Sequence, residues 1–261
     1  KFVESGGLAA LDRRVAIVAE KSSAGVGTAD LPVRVTDDAA ADLLFGVGSL
    51  GALMCRKAFS QGKLGGRGAP EIYGVPCAEL GGGVAATYTI TLTGPATASG
   101  TIVLNICGRL IQVGVTSGDA NTVVATAMEA ALDAAATTLP VTAGVAGAVV
   151  TLTFRTKGVN GNDVARSTIT DVAGIGITHA AAVAGTGATV IAGALAALYD
   201  TTYNAIALAN HATGDSVALL ADSALSWGFG QMNYRFFFIG ERGSLGTAQT
   251  RNRQVYTPIS S

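Results

Sequence analysis

Two kinds of strand pattern stand in this one chain, and they call for different sheets. Val15–Glu20 reads VAIVAE, an apolar run without helical spacing, which suits a strand buried on both faces. Thr87–Thr93 reads TYTITLT, with Tyr88, Ile90 and Leu92 alternating against threonine. That alternation suits a strand with one face in a core and the other in water. A chain carrying both needs two apolar cores, and its 261 residues are enough to bury them.

Around VAIVAE the pattern is α/β. Ala24–Arg34 is loop chemistry, and Thr36, Asp37 and Asp38 open a helix with Leu43 and Leu44 on its apolar face. Gly46 and Gly48 break it, and Ser49 caps a second helix through Leu53 and Lys57 to Phe59. The stretch QGKLGGRG reads as a loop, and EIYGVPC (Glu71–Cys77) as the next strand.

From Leu80 the character changes. After the connector ELGGGVAA and the strand TYTITLT, the runs TIVLNI and LIQVGV flank Cys107-Gly108-Arg109 as a hairpin. Ser117 or Asp119 is placed to cap a helix with Val124, Ala127, Met128, Ala131 and Leu132 on one face, ended by Pro140. VVTLTF (Val149–Phe154) alternates again. After about Gly187 the α/β rhythm returns, with TVIAGALAALYD helical, NAIALAN a strand, and a helix over SVALLADSALSWGF whose Val217, Leu220, Ala224 and Trp227 share a face. YRFFFIGE is a further strand.

The expected fold class is therefore a discontinuous α/β core, residues 1–80 and 183–261, with a mostly parallel sheet. It is interrupted by an inserted α+β domain, residues 81–182, of antiparallel strands plus one helix.

Chemistry is sparse. Phe45–Met54 reads FGVGSLGALM, in which Gly46, Gly48 and Gly51 spell G-x-G-x-x-G. A dinucleotide loop follows a strand and opens a helix. Here the preceding TDDAAADLLFG is a helix start, and Glu71 stands at the beginning of the next strand rather than its end. The motif reads as a helix–turn–helix joint. Gly62-Lys63 is followed by Leu64 where a phosphate loop needs Ser or Thr.

Two GSLG copies, Gly48–Gly51 and Gly243–Gly246, lack the leading glycine of a nucleophile elbow. His179 and His211 have no second ligand at metal spacing, and for His211 a polar residue at a strand end is the simpler reading. Asp37, Asp38 and Asp42 suit a helix start, and Asp119 and Asp133 make no acid–base pair. No catalytic, cofactor-binding or metal-ligating residue is assigned, and no cofactor is expected.

Charged residues are only 13% of the chain, with net charge −1 and no basic stripe, so nucleic acid is not an expected partner. Cys55, Cys77 and Cys107 stand apart, as free thiols in a reducing compartment do. Val172–Tyr199 holds no Asp, Glu, Lys or Arg, yet its Ala, Gly and Thr gain little from lipid, and it reads as a buried segment rather than a membrane insertion. KFVESGGLAALDRR is not a signal peptide, and without an initiator Met the chain is expected to begin partway into its gene product.

The inserted region carries a family resemblance. T-G-x-A-x-x-S-G-T from Thr93, G-R-x-I-x-V from Gly108, S-G-D from Ser117, L-P-V-T-A from Leu139 and K-G-x-x-G-N from Lys157 occur in that order. RRVAIVAEK, FGVGSLGALM and TTYNAIALAN flank them. The set, spanning most of residues 10–230, resembles the contractile phage tail sheath proteins of the Mu-like family.

The resemblance implies a structural, non-enzymatic subunit with a subtilisin-like core by fold, polymerising around a tail tube and contracting to drive it through the host envelope. Its implied partners are other sheath subunits, the tube protein, the baseplate and the tail terminator. Its implied place is the virion tail, assembled in the bacterial cytoplasm. Against the family pattern an N-terminal arm and a C-terminal domain are expected to be missing, which makes this chain a fragment and a monomer when alone. The inserted domain is expected to face outward. The alternatives are an α/β enzyme, nucleotide-dependent or a hydrolase using Ser49 or His211, and an adhesion module built on residues 81–182.

Overall fold

The computed structural model describes residues 13–64, 70–209, 215–226 and 236–239. Along the chain, strands β1 (Arg14–Glu20) and β2 (Val33–Val35) precede helices α1 (Asp38–Phe45) and α2 (Leu50–Leu64) and strand β3 (Glu71–Cys77). Then come β4 (Thr87–Thr93), β5 (Gly100–Ile106), β6 (Arg109–Val115), helix α3 (Asn121–Ala134), β7 (Val141–Ala146), β8 (Val149–Phe154), β9 (Arg166–Thr170) and β10 (Gly176–Val183). Short helix α4 (Ala192–Ala196), β11 (Ala205–Leu208), α5 (Asp215–Ser226) and β12 (Phe236–Ile239) follow. The fold is mixed α/β, with three sheets among the described residues.

The five-stranded sheet has the order β12-β11-β1-β3-β2. Every pairing in it is parallel except β2 with β3. β1 is central and buried on both faces, as its sequence predicts. On one face Ile17, Ala19 and Ile72 meet Leu44 and Phe45 of α1 and Ala52 and Cys55 of α2. On the other, Ala16, Val18 and Ile206 meet Ala194 and Leu195 of α4 and Leu219 of α5.

The remaining two sheets, β10-β4-β8-β7 and β6-β5-β9, enclose a separate apolar cluster together with α3. Tyr88, Ile90 and Leu92 point into it from β4, as do Val150, Leu152 and Phe154 from β8. At the β5–β6 hairpin the turn is the two residues Cys107 and Gly108, with φ of 51° and 81°. Left-handed backbone at both positions matches the right-handed twist of the strands.

Several expectations are corrected. Leu43 is exposed, and only Leu44 of that pair is buried. QGKL at the start of the expected loop is the last turn of α2. Neither Ser117 nor Asp119 caps α3, whose N-cap is Ala120. The Ser117 hydroxyl donates to Thr97 O, and the Asp119 carboxylate accepts from Thr116 N, so both serve the turn before the helix.

α3 ends at Ala134, well before Pro140, with a 3-10 turn at Ala136–Thr138 between them. Within 172–199 the expected buried segment is buried at Val172, Ile175, Ile191, Leu195 and Leu198 but includes β10, an exposed edge strand, and the helix expected over TVIAGALAALYD is only α4. On α5 Ala224 is exposed and Leu219 is buried, so the helix is turned from the expected face. The side chains of Val217 and Leu220, and Trp227 altogether, lie outside the described residues. Strands β2, β7, β9 and β10 are not among the elements that the sequence pattern predicts.

The chain passes from the five-stranded sheet to the β4–β10 unit and back through two adjacent stretches. Val84 and Thr186 exchange backbone hydrogen bonds of 3.1 and 3.0 Å there. Glu20, at the end of β1 and only 2% exposed, reaches both stretches. Its Oε1 accepts from Leu80 N at 3.1 Å and its Oε2 from the Thr189 hydroxyl at 3.0 Å.

Burial pushes the Glu20 carboxyl above its ordinary value of 4.5, opposed by these two hydrogen bonds. The folded state then holds the proton more tightly than the unfolded chain does. This group's contribution to stability therefore falls as pH rises from 4.5 through the raised value. Glu20→Gln should flatten that slope while keeping a hydrogen-bonding side chain. Glu20→Ala should lower stability by about 1–2 kcal/mol, because two donors lose their acceptor. Urea unfolding of both variants across pH 4–8 measures each effect.

Candidate functional site

The joint between α1 and α2 is where the sequence offers its most suggestive motif, and its glycines are accounted for by packing. Gly46 ends α1 with φ 91°, its N–H donating to Asp42 O at 2.8 Å. A Cβ there would lie 2.0 Å from the Ser22 hydroxyl oxygen. Gly48, with φ 68°, faces the end of α3, and a Cβ would stand 2.5 Å from both Ala136 O and Leu139 O. On Gly51 a Cβ would meet the Phe45 ring at 2.6 Å. Each position thus admits close contact with an element distant in sequence or folded back upon it.

A pyrophosphate would need free backbone N–H groups at a helix start that follows a strand. Here the motif follows α1. Ser49 N donates to Gly46 O at 3.1 Å, and Ala52 N points to the Ser49 hydroxyl at 3.4 Å. Glu71, the candidate ribose-binding acid, instead forms ion pairs of 3.1 Å with Arg14 and Arg34 at the start of β3.

Ser49 is 1% exposed, whereas a nucleophile on an elbow must present its hydroxyl to substrate. The second GSLG, at Gly243–Gly246, and His211 lie outside the described residues. Asp37 caps α1 by accepting from Ala40 N at 2.8 Å. Asp38 and Asp42 both pair with Arg56 of α2, which fastens the two helices together. Asp119 serves a turn, and Asp133 is exposed on α3. Cys55 and Cys77 are buried and Cys107 is exposed; burial, helped by Asp38, pushes the Cys55 thiol up to about 12.

Among the described residues no three of His, Cys, Asp or Glu gather as a metal site would require, and no helix is long and apolar enough to cross a membrane.

Sequence reasoning did not single out Arg155. Its Nε donates to Leu139 O and its Nη2 to Ala136 O, each at 3.1 Å. Those are the same two carbonyls that crowd Gly48. Burial pulls the guanidinium below its ordinary value, while Asp133 and Asp42 act in the opposite sense. Only the RTKG context after an alternating strand marks this arginine in the sequence, and that gives no hint of its partners.

His179 sits on β10, its Nε2 at 2.7 Å from the Thr168 hydroxyl of β9, and so ties the edges of two different sheets. Its Nδ1 is buried without a hydrogen-bond partner. Burial and nearby Arg166 lower its pKa from 6.5. Arg166 itself stacks on the Tyr88 ring, 4.1 Å from the centroid.

An apolar cleft of about 370 Å³ opens beside α2, between Leu53 and Met54 on the helix and Val15 and Ala207 on the sheet. It has no convergent polar groups, with Lys57 alone among its lining residues bearing a charge, and so offers no means to orient a polar substrate.

No protein-family model matches the chain. An alignment of 151 residues at 36% identity pairs 58% of this chain with 30% of the Mu-like prophage FluMu tail sheath protein of Haemophilus influenzae. The similarity is to a tail sheath protein. The alignment thus spans less than a third of that sheath relative. Among solved structures, a sheath tail protein from Listeria innocua aligns over 86% of this chain and 47% of that one. Its TM-score is 0.35 and its identity 11%.

Two outcomes test this description. Millimolar NAD or ATP should leave the melting temperature unchanged, since a ligand of the native state raises it by mass action. For His179 the unfolded chain takes up a proton first, so its contribution is held above pH 6.5 and lost as pH falls through the lowered value. His179→Gln should remove that loss, read as a smaller fall in melting temperature between pH 7 and pH 5.

Proposed function

We propose that this chain is the core part of a structural subunit of a contractile phage tail sheath. The observation that carries the reading is the 36% identity over 151 residues with a Mu-like prophage tail sheath protein. It agrees with the ordered motifs from Thr93 to Asn162.

In this reading residues 1–80 and 183–261 form a discontinuous core, and residues 81–182 an inserted domain that faces outward. Strand pairing supports the division. β1 has partners from both sides of the excursion, β3 and β11, while among the described residues β4 to β10 pair only among themselves. The role is structural rather than enzymatic, supported by a glycine motif occupied by packing and a buried Ser49.

The subunit assembles with other sheath subunits around a tail tube, between baseplate and tail terminator, in the virion tail. Assembly takes place in the bacterial cytoplasm. Contraction, a change between two packings of largely rigid subunits, drives the tube through the envelope. The 261-residue chain on its own is a monomer.

Negative-stain electron microscopy of the full-length gene product, expressed alone and concentrated, tests the reading. Hollow tubes or stacked rings are expected. Only single particles, even with a co-expressed tube protein, would overturn it. Light scattering of the 261-residue chain should give a monomer mass at micromolar concentration.

A further inference from the structure

The two stretches that lead out to the β4–β10 unit and back are rich in glycine, with Gly81, Gly82 and Gly83 on one side and Gly185 and Gly187 on the other. Paired linkers of this kind ordinarily form a hinge, and relative motion is the default for two units so joined. Two contacts made elsewhere, with a third interaction that braces one of them from within the β4–β10 unit, act against that default.

The first is the Gly46–Ser49 turn. Gly48 lies so close to the end of α3 that a Cβ would come within 2.5 Å of Ala136 O and Leu139 O. Arg155 holds those same two carbonyls in a fork, at 3.1 Å each. These bonds lie within the β4–β10 unit and hold in place the carbonyls that the turn meets; the Arg155 Nε itself would stand 2.6 Å from a Cβ at Gly48. The second contact is Leu50, the first residue of α2, which packs against the apolar cluster of the β4–β10 unit although its helix belongs to the five-stranded sheet. A hinge closes about one axis. A clasp at the linkers (Glu20 with Leu80 and Thr189) and contacts of Gly48 and Leu50 with the unit sit at separate places, so hinge opening at the linkers has to break the second set.

We propose that the Gly46–Ser49 turn is a lock that makes the five-stranded sheet and the β4–β10 unit one mechanical body. A rotation of the core then carries the tip of the unit through the same angle. The glycine at position 48 is required because only a residue without a side chain, in left-handed backbone, brings the turn against the carbonyls. The lock rests on these contacts and not on the sheath reading, so either can fail without the other.

Nitrogen-15 relaxation of the whole 261-residue chain tests it. In the unaltered protein, amides of β4–β8 and of β1 and β3 should report a single rotational correlation time, that of one 26.0 kDa body. Gly48→Val should split it, with the β4–β10 unit tumbling faster by roughly twofold, as a domain freed on its linkers does. Arg155→Ala, which adds no bulk, should shorten the unit's time in the same direction if the valine variant does not fold. Two correlation times in the unaltered protein would overturn the proposal. So would one undivided time in a folded Gly48→Val or Arg155→Ala variant.

Discussion

A single buried carboxylate stands where the architecture divides. Glu20 closes the central strand, and its two oxygens are held by Leu80 on the outgoing stretch and Thr189 on the returning one. Burying an acid costs free energy unless its oxygens are satisfied, and here they are satisfied by the two pieces of chain whose meeting defines the fold. The requirement is mutual. Leu80 N needs an acceptor as much as Glu20 needs donors. Everything from Thr87 to Val183 therefore leaves and re-enters the parallel sheet at one place, and β11 can add to β1 on the side opposite β3.

What the sequence made legible follows from period. VAIVAE and TYTITLT declare their burial because every residue, or every second one, is apolar, and β1 and β4 form where those runs lie. α1 and α2 are legible from Asp37 and Ser49, which do accept hydrogen bonds from Ala40 N and Ala52 N. The same logic misleads at α3, where Ser117 and Asp119 have the right chemistry but a nearer use in the preceding turn. β10 was hidden because Ala180–Ala182 run together and His179 takes an inward position, so its alternation carries little contrast. On α5 the buried Asp222 lies on the inner side, which a hydrophobic count would never choose.

The joint between α1 and α2 was half legible. That it joins two helices could be read from the three Asp upstream and the capping serine. Why it needs glycine could not. The atoms that forbid a side chain at Gly46 and Gly48 belong to Ser22, Ala136 and Leu139, remote from the joint along the chain, and only at Gly51 do they belong to the nearby Phe45 ring. A pattern that resembles a phosphate loop is here a surface shaped for protein.

The strand order has a consequence for how the chain comes into being. Among the described residues the strand partners of β4 to β10 all lie between Thr87 and Val183, so these two sheets can pair as soon as that stretch has been synthesised. β1, made long before, must wait for Ala205–Leu208 to cover its second edge. In the interval this strand, whose last five residues are buried in the finished fold, has β3 on one side and an unpaired edge on the other, the kind of edge that invites a stranger. With α1 and α2 already able to shield one face of β1, the exposed part of the nascent sheet is narrowed to that edge and the face that α4 and α5 later cover.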